Sequence, residues 1–164
     1  MKKLKNWDNK TWISSRAYIS SFNFFLLKKK KLNKNSNILD IGCGRGKIFG
    51  SLSRKLKLIN KPIGIDSVGH KDVDKSIIFR NEDIFKFFKN NQDKFDLIMI
   101  KQTLHFFNKY KRKELIKICK NNLKKKGVLL IFSLNTLNNE IPCFKLMKQK
   151  LNRGLERDYR MLKS

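Results

Sequence analysis

The sequence predicts an α/β, doubly wound fold built on a mainly parallel sheet, and two features carry that expectation. Short, continuously apolar runs alternate with amphipathic helical segments from residue 37 onward, the pattern of strands buried on both faces. Directly behind the first run, "NILDIGCGRGK" (37–47) places three of the chain's eight glycines in five positions. Glycine gives up the most backbone freedom on folding, so such a cluster marks a backbone that must turn sharply or be closely approached.

Taken in order, the segment 1–36 is basic and aromatic and forms the first unit, a helical lid ahead of the core at 37–164. Within it, 16–32 reads as a helix, with Tyr18, Phe22, Phe25 and Leu26 on one face and Lys28 to Lys31 at the negative end of its dipole. "NILDI" (37–41) is the first strand and 45–58 the helix that follows the glycines. "PIGID" (62–66) and "SIIF" (76–79) are the next strands, with room for at most one or two helical turns between Asp66 and Ser76. "DIFKFFKN" (83–90) is a short helix, "FDLIMI" (95–100) the fourth strand, and 110–125 an amphipathic helix turning Leu115, Ile118, Cys119 and Leu123 inward. "GVLLIFS" (127–133) is the fifth strand, and 142–164 is helical in pattern, with Pro142 near its first position.

Composition narrows the classes. A chain of 164 residues with 40% hydrophobic residues suits one globular domain. No apolar run approaches the roughly 20 residues of a bilayer span, and the basic start lacks the apolar stretch of a secretory signal, so a cytoplasmic location is expected. Three widely spaced cysteines and two histidines indicate neither a disulfide framework nor a metal site. The net charge of +26 has two readings. Lys, Asn, Ile and Phe dominate as AT-rich coding would produce, whereas the scarcity of acids points to a polyanionic partner.

A strand that ends in Gly-x-Gly-x-Gly and feeds a helix aims backbone N–H groups at a cleft on the carboxyl edge of the sheet, a nucleotide-binding corner. The spacing is not the dinucleotide Gly-x-Gly-x-x-Gly, which disfavours a nicotinamide-linked reductase, and no Gly-Lys-Ser/Thr follows. Asp40 precedes the glycines, and Asp66 ends the second strand near the roughly 20-residue spacing at which such sheets place an acid for ribose hydroxyls.

"ILDIGCGRG" resembles motif I of the class I S-adenosylmethionine-dependent methyltransferases. "GID" (64–66), "NEDIF" (81–85), "FDLIMIKQTLHFF" (95–107) and "LKKKGVLLIF" (123–132) resemble that family's later landmarks in order, the fourth resembling its small-molecule branch. The resemblance implies a Rossmann-like core of strand order 3-2-1-4-5 that here lacks the usual last two strands. It implies S-adenosylmethionine as cofactor, lying on Asp40, Gly42, Cys43, Gly44 and Gly46. Asp66 and Ser67 would face the ribose, Asp83 and the Ile84 N–H the adenine, and Lys101 the edge of the cleft.

The implied reaction is in-line transfer of a methyl group to an acceptor, for which holding the acceptor is the main task. Trp12, Tyr18, Gln102 and His105 are the candidate substrate residues; His105 is also the sole candidate base, with packing beside the cofactor as its other reading. His70, in a polar loop, is given no role, and Cys143 opens a helix and is not read as a nucleophile. A small-molecule acceptor is preferred; RNA is the alternative because of charge, and a non-catalytic nucleic-acid-binding protein on the same scaffold is the rival of another class.

Overall fold

The computed structural model describes residues 16–132. Among them, five strands form one parallel sheet in the order β3-β2-β1-β4-β5: β1 (Ile38–Ile41), β2 (Ile63–Asp66), β3 (Ile78–Asn81), β4 (Phe95–Lys101) and β5 (Leu123–Phe132). The helices are α1 (Arg16–Lys29), α2 (Lys47–Leu56), α3 (Ile84–Asn90) and α4 (Lys109–Asn121). The helical pattern at 142–164 lies outside the described residues.

β1 is central, with Leu39 opposite Ile63 of β2 and Ile98 of β4. Because side chains alternate across a strand, Leu39, Ile41, Ile98 and Ile100 meet Phe87, Phe88, Leu115 and Cys119 from α3 and α4. Ile38, Leu97 and Met99 meet Tyr18, Phe22, Phe49 and Leu52 from α1 and α2 on the other face. Leu97 to Ile100 are fully buried, as expected for a strand covered on both sides.

Helix α1, the described part of the segment expected as a lid, packs as a layer of this core. Tyr18, Phe22 and Leu26 are buried in the same cluster as Ile38 and Leu97, and the Phe22 ring meets Phe132 at the end of β5, centroids 4.7 Å apart. The aromatic face expected on this helix is therefore what fixes it to the sheet. The helix ends at Lys29, three residues short of the expected boundary.

Three other boundaries differ for identifiable reasons. α4 stops at Asn121 because Asn122 folds back, its side chain donating to the Ile118 carbonyl at 2.9 Å. Leu123, expected on the helix, opens β5 opposite Phe95, and Lys124 pairs with Asp96 at 2.8 Å. β3 lies two residues later than expected, at 78–81, because Ile77 turns inward to fill space beneath the glycine loop. No helix joins β2 to β3; that loop is pinned by the buried Asp74, whose carboxylate takes Arg54 Nη1 at 2.6 Å and Nη2 at 3.1 Å. No helix among the described residues is long and apolar enough to cross a membrane.

Candidate functional site

The cleft at the carboxyl edge of β1, β2 and β4 is shaped first by its glycines. Gly42, Gly44 and Gly46 all adopt positive φ, at 71°, 55° and 66°, where a side chain is strained. Space is as decisive as angle. A Cβ on Gly42 would sit 1.9 Å from Thr103 Oγ1, and one on Gly46 would sit 2.1 Å from Ile77 Cδ1. The loop hooks onto β2 through the N–H groups of Gly42 and Cys43, which both donate to the Ile65 carbonyl at 2.8 and 3.1 Å. Gly46 then caps α2 without a side chain of its own, so no side chain competes for the first-turn N–H groups.

Cys43 packs its sulfur over Gly64. Burial, followed by the charges of Asp40 and Asp66, pushes its thiol far above the ordinary value, so it serves as filler and not as a nucleophile.

The acids converge behind this loop. Asp40, 3% exposed, has a buried Oδ1 with no hydrogen-bond partner. Burial raises its pKa from 3.8 to about 7, Lys101 opposing and Asp66 adding to the rise. Asp66 uses both oxygens within the chain: Oδ2 accepts the Gly44 N–H at 2.8 Å and Oδ1 the Val68 N–H at 2.9 Å. Each oxygen has a second lone pair available for a further donor. Ser67, next to it, is exposed. His70, given no role from sequence, lies with Nε2 3.8 Å from Asp66 Oδ2 and edge-on to Phe79. Only the turn that follows β2 brings it there; the i, i+4 spacing from Asp66 was the available signal.

Asp83 caps α3, its Oδ1 accepting from the Phe85 and Lys86 N–H groups at 2.9 and 3.1 Å. The Ile84 side chain is buried. Beyond β4, Gln102 takes a positive φ of 51° that is uncommon for a residue with a side chain, and its N–H donates to the Phe132 carbonyl at 2.8 Å. Thr103 Oγ1 lies 3.0 Å from the Lys101 carbonyl and 3.3 Å from that of Ile41, so this turn locks β4 to β1 beside the glycine loop.

Two further substrate candidates differ in burial. Tyr18 is 4% exposed inside the core cluster because it belongs to the face that binds α1 to the sheet. His105 is exposed on the short 3-10 turn Leu104–Phe106, its ring 4.0 Å from Phe106. Partial burial and the nearby Arg112 hold its pKa below the ordinary value. Trp12 lies outside the described residues. Among the described residues, no group of His, Cys, Asp or Glu is arranged to hold a metal ion.

The arrangement suits a cofactor that combines a cation with vicinal hydroxyls: a buried carboxylate with one unpartnered oxygen beside the first-turn N–H groups of α2, and a second carboxylate at the end of the neighbouring strand. The same fold is found in solved structures. Among solved structures, the chain is similar to the plantazolicin methyltransferase BpumL in complex with a pentazolic desmethylPZN analog and SAH, at 24% identity and TM-score 0.61 over 90% of this chain and 55% of that one. A SAM-dependent methyltransferase from Geobacter sulfurreducens in complex with S-adenosyl-L-homocysteine matches at 16% identity and TM-score 0.57, over 77% of this chain and 52% of that one. A precorrin 8W decarboxylase from Methanobacterium thermoautotrophicum shares the fold at 15% identity and TM-score 0.56, over 81% of this chain and 70% of that one. The chain thus spans about half the length of the first two. No curated protein matches it significantly. The family model described as "Methyltransferase domain" matches residues 12–156, so the glycine corner, its two carboxylates and the five-stranded sheet that carries them belong to a member of the methyltransferase domain family.

Proposed function

We propose that this chain binds S-adenosylmethionine across Gly42 to Gly46 and directs transfer of its methyl group to a small-molecule acceptor. The observation that carries the reading is Asp40. A carboxylate oxygen buried without a partner is costly, and a cationic amino-acid ligand in the adjoining cradle relieves that cost. When bound, the cofactor supplies an electrophilic methyl group on a sulfonium.

The chain's own residues do the rest. Asp40 and the first-turn N–H groups of α2 hold the amino-acid end, Asp66 accepts from the ribose hydroxyls, and the β4 turn at Lys101 to Thr103 forms the wall nearest the acceptor. Positioning is the main source of rate in such a displacement, and the Thr103–Gly42 contact provides rigidity for it. No residue is assigned as base, and His105, exposed beyond that wall, is the candidate only where an acceptor must lose a proton.

The "TLHFF" segment supports a small acceptor, while the charge of +26 supports RNA as the second reading. Calorimetry with S-adenosylmethionine on the full-length chain tests the cofactor assignment, and absence of saturable binding overturns it. Methyl transfer to candidate acceptors across a salt series separates the two readings. An RNA acceptor loses affinity steeply with the logarithm of salt concentration, and a small one barely responds.

A further inference from the structure

Charge is segregated between the two ends of the sheet. Six of the nine acids between residues 16 and 132, Asp40, Asp66, Asp72, Asp74, Glu82 and Asp83, stand at or beyond the carboxyl ends of β1, β2 and β3. The opposite end is made by the segments that lead into the strands, at 28–37, 57–62, 75–77, 91–96 and 120–126, and it holds thirteen lysines against Asp93 and Asp96. AT-rich coding raises lysine along a whole chain and does not sort it by place in the fold.

Folding brings these lysines together. Lys30 Nζ donates to the Lys126 carbonyl at 2.6 Å, which joins the run Lys28 to Lys31 to the run Lys124 to Lys126, and Lys61 Nζ donates to the Lys75 carbonyl at 3.2 Å. Among the described residues, Lys124 alone of the thirteen has an ion-pair partner, Asp96 at 2.8 Å. Like charges gathered at one end repel unless counter-charge is supplied. Helix dipoles account for Lys28, Lys29 and Lys120 in the last turns of α1 and α4, and reach none of the lysines in the loops or on β5. Beside the first run, Phe24 is 53% exposed on α1, with Lys28 Nζ 4.6 Å from its ring centre.

From this segregation we infer that the lysine end of the sheet docks single-stranded nucleic acid. Lysines are compact point charges on flexible stems that suit successive backbone phosphates without reading bases, and an exposed ring flanked by a cation is a surface on which a base stacks. A duplex keeps its base faces stacked inside and cannot use Phe24. An anionic membrane needs an apolar face to insert, and that of α1, Tyr18, Phe22 and Leu26, is spent on the core. The dock lies at the end of the sheet opposite the cofactor cleft, so it does not depend on which acceptor takes the methyl group.

Fluorescence anisotropy of a labelled oligouridylate of about 20 nucleotides, longer than the site of a single-strand-binding fold, is measured on the full-length chain. An RNA duplex of the same length and phosphatidylserine vesicles are the comparators. The single strand is expected to bind saturably and more tightly than the duplex, with the logarithm of affinity falling linearly with the logarithm of salt concentration. Lys28→Gln, Lys31→Gln, Lys125→Gln and Lys126→Gln together, all at exposed positions, should weaken binding at least tenfold and reduce the salt slope by up to about 3, at about 0.7 per contact. Lys86→Gln, Lys109→Gln, Lys113→Gln and Lys117→Gln together remove equal charge from exposed positions of α3 and α4 and should cost less than twofold. Phe24→Leu keeps the apolar contact and removes the ring; it should weaken the single strand at least fivefold and leave the salt slope unchanged. A Tm no lower than the wild type's shows that each variant folds, and S-adenosylmethionine affinity in the same samples reports separately on the cofactor cleft. No saturable binding, tighter binding of the duplex, equal loss in the two fourfold variants, unaltered affinity in Phe24→Leu, or binding to the vesicles without the oligonucleotide overturns the assignment.

Discussion

The Gly44 N–H donates to Asp66 Oδ2 at 2.8 Å, so the middle of the glycine loop is tied to the end of the neighbouring strand. The carboxylate therefore has two tasks in the proposed complex: it shapes the loop and accepts from the ligand. Asp66→Ala should weaken S-adenosylmethionine binding by about 1–3 kcal/mol, the range for lost charge-assisted hydrogen bonds. It should also speed hydrogen exchange at the Gly44 amide. Faster exchange with unchanged affinity, by calorimetry and NMR, would reduce Asp66 to a tether.

Asp40 predicts a pH dependence of unusual sign for a carboxylate. Burial raises its pKa from 3.8 to about 7, so the folded chain keeps a proton that the unfolded chain has already released. The associated stability is complete below about pH 4 and lost as pH rises to 7, up to roughly 4 kcal/mol. Asp74 and Asp96 act in the opposite sense. Burial alone would raise both, but Arg54 and Lys124 respectively hold them below the usual range, so their contribution is lost as pH falls. Urea unfolding of the wild type minus that of Asp40→Asn isolates the Asp40 slope. A cationic ligand should favour the ionised form, so cofactor affinity should rise through pH 7 in the wild type and stay flat in Asp40→Asn.

Much of this was legible in the sequence, and the parts that were not share a physical cause. β1 and β4 are read correctly because their burial on both faces leaves continuous apolar runs, Leu97 to Ile100 most clearly. The end of α4 is misplaced because "KNNLKKKG" has no periodicity to separate helix from strand. The break depends on the Asn122 side chain and on Leu123 finding Phe95, a tertiary contact. Gly127 was the usable signal: a Cβ there would lie 2.6 Å from the Phe95 carbonyl, beside the shift in register between β4 and β5. In the site, the glycines and acids announce themselves by spacing. Thr103 as the reason for Gly42, Ile77 as the reason for Gly46 and His70 beside Asp66 all arise from chain segments that meet only after folding.

Gly42→Ala tests the claim that packing and backbone both demand glycine there. The left-handed conformation costs an L-residue about 1–2 kcal/mol, and the clash with Thr103 adds overpacking of about 1–3 kcal/mol. Thr103→Ala alone should cost less than Gly42→Ala. Combined with Gly42→Ala it should recover part of the packing penalty, since Oγ1 and Cγ2 leave while Cβ, 2.8 Å from where the alanine methyl carbon would sit, remains. A double-mutant cycle by urea unfolding gives the coupling. Strict additivity would mean that the two residues do not meet as described.

Asp74 predicts an effect on the cofactor cleft from a residue that does not line the two carboxylates. It is 8% exposed, accepts from Arg54 and from the Ser76 N–H at 3.0 Å, and its own N–H donates to the Arg45 carbonyl at 2.9 Å. These bonds hold the loop between β2 and β3 against the glycine loop at Arg45 and the last turn of α2 at Arg54. Ile77, three residues on, sits under Gly46 and Gly64. Asp74→Ala should therefore destabilise the chain by about 1–3 kcal/mol, the cost of leaving the Ser76 N–H without its acceptor and Arg54 without its partner, and let Ile77 withdraw from beneath the glycines. Arg54→Lys keeps the charge but loses the two-pronged geometry, and because Arg54 is 57% exposed its cost should be nearer 1 kcal/mol. Cofactor affinity should fall in the order wild type, Arg54→Lys, Asp74→Ala. If Asp74→Ala lowers stability but binds S-adenosylmethionine with wild-type affinity, the glycine loop holds its shape without the loop beneath it, and Gly46 needs no support from Ile77.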